Sequence, residues 1–116
     1  MAREKGEIEV YTLVVEVGRK EGDGLPKHAS GAGLVCFCAA RSEEEAVRET
    51  VAVLKQAGLA PLDVTGLGTA AERRAEGEEI DPEEEELMAR AAQENAVIVA
   101  QVTTFGPEGA PGGKPG

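Results

Sequence analysis

The sequence predicts an α+β fold: a four-stranded, mostly antiparallel or mixed sheet with two helices on one face, in the order β-β-α-β-α-β, a two-layer sandwich of ferredoxin-like layout. Three observations carry this expectation. Bounded apolar runs of strand length recur four times. Two stretches between them show helical spacing with caps at both ends. The links from strand to helix are short, which favours helices packed back on the sheet they leave.

The most legible stretch is Gly33 to Leu59, GLVCFCAARSEEEAVRETVAVLKQAGL. Leu34 to Ala40 is apolar and strand-length, and it stops where Arg41 and Ser42 bring in polarity. Ser42 is suited to cap the helix that follows, with Glu45 three residues on reaching back in a reciprocal S-x-x-E box. Ala46, Val47, Thr50, Val51, Leu54 and Ala57 recur at helical spacing as one apolar stripe, Gly58 supplies a left-handed stop, and Pro61 prevents continuation.

Before this unit, Glu7 to Val17 reads as the first strand, and its apolar character on both faces from Leu13 to Val15 predicts an interior place in the sheet. Gly18 to Gly33, GRKEGDGLPKHASGAG, has no hydrophobic periodicity and is longer than a hairpin turn; it predicts a long, poorly ordered connection between antiparallel strands. After the helix, Pro61 to Leu67 predicts a short third strand with Leu62 and Val64 facing one way. Thr69 and Glu72 are spaced as a second capping box over a short helix ending near Gly77. Asp81 and Pro82 open the second main helix, with Leu87, Met88, Ala91 and Ala92 as its buried face, Glu86 and Arg90 as an i,i+4 pair, and Asn95 as its stop. Ala96 to Phe105, AVIVAQVTTF, is the last strand. The expected organisation is a frayed terminus over 1–6, one domain over 7–105, and a disordered Gly/Pro-rich tail over 106–116.

Composition narrows function mainly by exclusion. Twenty-two acidic residues against 12 basic give a net charge of −10, which opposes the electrostatic attraction that dominates nucleic-acid affinity, so neither nucleic acid nor an anionic membrane is an expected partner. No apolar run reaches spanning length and the first residues lack the apolar core of a signal peptide, which together predict a cytoplasmic protein. With no Trp, one Tyr and two Phe, the core must be mostly aliphatic.

Four groups of residues invite a chemical reading. Cys36 and Cys38, with His28, are a soft-metal donor set, but two cysteines two residues apart in an extended strand hold their sulfurs roughly 6–7 Å apart, so core packing is the expectation and no metal is assigned. His28 lies two residues from Ser30 without an orienting third group, so no catalytic residue is assigned. Gly66-Leu67-Gly68-Thr69-Ala70-Ala71 fits G-x-G-x-x-A, yet the following helix lacks an apolar face and no acidic residue ends a strand at the required distance; no cofactor is assigned. Glu78, Glu79, Asp81 and Glu83 to Glu86 bracket a helix N-terminus, where the dipole favours them in solvent.

The run Tyr11 to Val17, a second strand, and then Ser42-Glu43-Glu44-Glu45-Ala46 resembles the strand–strand–helix start of the antitoxins of the HicB type. The resemblance covers under half of the chain, and no function is carried over from it. The leading expectation is a non-enzymatic protein-interaction or regulatory module, a homodimer with a protein partner, using its uncovered sheet face or its acidic helix. The alternatives are a small-ligand-binding domain closed by the glycine-rich loops 18–33 and 66–68, and a metal or thiol protein acting through His28, Cys36 and Cys38.

Overall fold

The computed structural model describes residues 7–106, so the readings of 1–6 and 107–116 lie outside the described residues. The elements are β1 (Glu9–Val17), β2 (Gly31–Ala40), α1 (Glu43–Gln56), β3 (Pro61–Thr69), α2 (Ala70–Ala75), α3 (Pro82–Glu94) and β4 (Val97–Phe105). The strands form one sheet in the order β3-β1-β2-β4, and every neighbouring pair is antiparallel. The α+β sandwich of a four-stranded sheet with helices packed against it is therefore as the sequence predicts, and β1 is interior, as its two apolar faces require.

The caps follow their residues. Ser42 accepts from the Glu45 amide at 3.1 Å, Thr69 and Glu72 form a complete capping box, and Asp81 accepts from the Glu84 amide with Pro82 in the first turn. Gly58 at φ 89° and Asn95 at φ 52° take the left-handed conformation that ends a helix. Two local details differ from expectation. Glu45 reaches past Ser42 to the Arg41 amide at 2.6 Å, and Arg90 lies 3.8 Å from Glu94, one turn on, rather than from Glu86 behind it.

Unlike the expected layout with two helices on one face, α1 and α3 lie on opposite faces of the sheet. Alternation along the paired strands assigns Tyr11, Leu13, Val15 and Val17 of β1 and Ala32, Leu34, Cys36, Cys38 and Ala40 of β2 to one face. These residues pack with Ala46 and Leu54 of α1 in one cluster. Phe37, with half-buried Val10, Val35 and Ile98, belongs to the opposite face and packs with Met88 and Ala91 of α3 in a separate cluster. The reason lies in β2. Cys36, Phe37 and Cys38 are all buried, which needs cover on both sides of the sheet, and fully burying a side chain such as Phe37 stabilises by roughly 1.5–3 kcal/mol. The second face was expected to stay open and drive dimerisation; α3 covers its end nearest Val10 and Phe37 instead. Ala92, expected in the buried face of α3, is exposed, while Leu87 is half-buried.

β3 is longer than expected and irregular. Its register against β1 shifts twice, once between Val14 and Val15 and once between Glu16 and Val17. The second shift leaves Leu62 unpaired and exposed over Gly18, so Leu62 and Val64 do not share a face: Val64 packs on the α1-side core. Gly31, at the start of β2, meets β1 so closely that a Cβ there would lie 2.5 Å from the Val17 carbonyl oxygen.

Candidate interaction surface

Cys36 and Cys38 both point into the α1-side core and are 0 % and 1 % exposed. Burial pushes the Cys36 thiol up to about 11, with the neighbouring Cys38 adding to it, and burial raises Cys38 as well. His28 is exposed in the β1–β2 loop, so the structure does not bring it together with the cysteines. Among the described residues, no group of three or more His, Cys, Asp or Glu side chains is placed to hold a metal ion.

The loop from 18 to 30 is built around one side chain. The Arg19 guanidinium donates to both oxygens of Asp23, at 3.1 and 3.2 Å, and to the carbonyls of Pro26 at 2.8 Å, Leu25, Lys27 and Ala29. Asp23 also accepts from the Lys20 and Leu25 amides. The Arg19 bond and these two amides hold the Asp23 carboxyl down at about 2. The expectation of a poorly ordered connection overlooked this arginine-centred fold, because an Arg surrounded by carbonyls of its own loop has no sequence signature. The loop's polar groups are spent on itself.

Gly66 and Gly68 are not in a loop: both lie within β3, on the sheet face opposite α1. They line a cleft of about 620 Å³ together with Thr12, Val14, Arg73 and Glu78. Because they belong to the strand while residues 18–30 sit beyond its start, the two glycine-rich segments do not close over a common ligand. Arg73 anchors the cleft wall, pairing with Glu78 at 2.8 Å and Glu84 at 3.0 Å and donating to the Thr12 hydroxyl at 3.1 Å. Burial works against the charge of Arg73, and Glu78 and Glu84 more than offset it. With Glu72 and Glu76 also lining it, the cleft has more carboxylates than guanidiniums, and the N-terminus of α2 is already satisfied by its own capping box. Neither condition suits a phosphate, which removes the physical basis of the dinucleotide fingerprint.

The surface that sequence reasoning missed is β4. It is an edge strand of nine residues, VIVAQVTTF, with no charge and no proline in a chain that is 29 % charged. Val99 and Val102 are 41 % and 51 % exposed on the α1 side of the sheet. The other edge, β3, carries Pro61, Asp63, two glycines and two register shifts, the features that protect an edge from pairing. An open edge presents a row of backbone donors and acceptors to any extended chain, and valines beside it add apolar contact. The signal was present in the sequence as an uncharged stretch, but only the strand order makes it an edge.

Among the described residues, no helix is long and apolar enough to cross a membrane. No curated protein and no solved structure matches this chain. Residues 10–106, which run from the second residue of β1 to just past β4, match a family described as a domain of unknown function, DUF8846. The four strands and three helices are thus, but for one residue, the matched region itself, and the chain belongs to that family.

Proposed function

We propose that this protein is a non-enzymatic interaction module that binds an extended protein segment by adding it as a strand to the edge of β4. One observation carries the reading: the two nine-residue edge strands differ, with β3 broken by Pro61, Asp63, two glycines and two register shifts, and β4, with a single shift, free of charge and proline and bearing exposed Val99 and Val102. Strand addition draws its affinity from main-chain hydrogen bonds and its specificity from alternate side chains, so it needs no catalytic constellation. The buried, free cysteines accord with a reducing, cytoplasmic setting.

The test is selection of random ten-residue peptides against the full chain, followed by amide chemical-shift mapping of the best binder. The expected result is a peptide that moves the β4 amides from Val97 to Phe105. A binder that moves the β3 edge or the Arg73 cleft while leaving β4 unchanged overturns the reading.

A further inference from the structure

We infer that the extended segment which occupies β4 is the β4 strand of a second copy, paired antiparallel about a two-fold axis between Ala100 and Gln101, so that two four-stranded sheets become one of eight strands. The inference rests on the reading of β4 as the interaction edge. Its basis is the irregularity in the β2–β4 ladder. Pairing runs from Val35 with Gln101 to Cys36 with Val99, which leaves Ala100 as an extra residue on β4.

That extra residue makes the face pattern of β4 symmetric. Val97 and Val99, paired with Cys38 and Cys36, lie on the α1 face, as do Val102 and Thr104, paired with Leu34 and Ala32. Ile98 and Ala100 pack in the α3-side cluster, and Gln101 and Thr103, opposite Val35 and Gly33, lie on that same face. Read outward from the Ala100–Gln101 bond, the two halves present the same sequence of faces. A two-fold axis normal to the sheet then sets Val99 opposite Val102 of the second copy, Ile98 opposite Thr103, and Val97 opposite Thr104, each pair on a common face. Moving the register by one residue puts each of these residues opposite one from the wrong face.

In this register the exposed Val99 and Val102 of the two copies form one patch of four valines across the seam. Apolar β-branched pairs of this kind are the side-chain unit that stabilises neighbouring strands. Charge favours the same seam. Two copies at −10 each repel, and β4 is a nine-residue surface strand with no charge to bring into contact. The acidic α1 helices pack mainly on β2 and β3 of each copy, and β2 and its counterpart are three strand spacings apart, about 14 Å, beyond a Debye length of about 8 Å. Self-complementarity of this sort is what an isologous two-fold contact requires.

The experiment is sedimentation velocity on the full chain over a wide concentration range, for the wild type, Val102→Lys, and Leu62→Lys as a control on the opposite edge. The wild type and Leu62→Lys should sediment at twice 12.0 kDa, and Val102→Lys should weaken association at least tenfold while keeping the monomer's circular dichroism. A second variant, Val99→Cys with Val102→Cys, should oxidise to a covalent dimer, because opposed residues on antiparallel strands lie within disulfide reach. A wild type that is monomeric at every concentration overturns the second copy as occupant, while peptide binding at β4 would still stand as the test of the broader reading. A dimer indifferent to Val102→Lys overturns β4 as the seam between copies, and the broader reading again rests on the peptide test.

Discussion

Thr50 offers the most direct test of the packing. It sits in the middle of α1, fully buried between Ala46 and Leu54, and its hydroxyl meets only the Cys38 thiol, a weak partner, with no other acceptor or donor in reach. A buried hydroxyl without a good partner costs roughly 1–3 kcal/mol relative to a satisfied one, so removing the oxygen while keeping the shape should recover part of that cost. Thr50→Val does so: both residues are β-branched, similar in size and alike in helix propensity, which leaves the hydroxyl as the main difference. Allowing for the lost contact to the Cys38 sulfur, a gain of about 1 kcal/mol is expected, equivalent to a rise in Tm of roughly 4–8 °C for a domain of this size. Urea titration followed by circular dichroism measures it, and the slope of free energy against urea should not change. A loss of 1 kcal/mol or more would mean that the hydroxyl holds a strong partner, and the account of the α1-side core would be refuted.

Three further perturbations test other parts of the structure. Phe37→Leu and Leu54→Val should each destabilise, and because the two residues belong to clusters on opposite faces, the double variant should equal the sum of the singles within about 0.5 kcal/mol; a larger coupling in a double-mutant cycle would put both helices on one face. In the native protein at pH 8 the thiols of Cys36 and Cys38 should stay unmodified by a thiol reagent that labels both at once after denaturation, since burial holds Cys36 at about 11 against an ordinary 9.0, with about a hundredfold less thiolate, and also keeps the reagent from reaching either sulfur. Asp23, held at about 2 against an ordinary 3.8, contributes stability that is fully present above pH 4 and is lost as pH falls toward 2; Asp23→Asn should lower stability at pH 7 and flatten that acid limb, and an unchanged limb in acid titrations would remove Asp23 as its source.

What could be read from the sequence was local. The caps at Ser42, Thr69, Asp81, Gly58 and Asn95 act through neighbours within a few residues, so their side chains state where each helix begins and ends. The interior place of β1 was legible because Leu13, Val14 and Val15 are apolar on both faces. The same pattern in β2, where Cys36, Phe37 and Cys38 are all apolar, requires cover on both faces of the sheet, whereas short strand-to-helix links point to helices on one face. The sites were less legible because they depend on strand order. Gly66 and Gly68 fit a glycine-rich loop until β3 is seen to run through them, and the last strand, Ala96 to Phe105, shows nothing of its place at an edge until the strand order is known. Arg19 and Arg73 gather partners up to 61 residues away in the chain, and no spacing rule reports such contacts.

Amide hydrogen exchange of the full chain, recorded at high and low protein concentration, tests most directly which edge of the sheet is used. Protection confined to Val97–Phe105 that rises with concentration, with Pro61–Thr69 exchanging at the same rate throughout, is the predicted result. Equal exchange of the two edges at every concentration, or protection that grows on β3 instead, would contradict it.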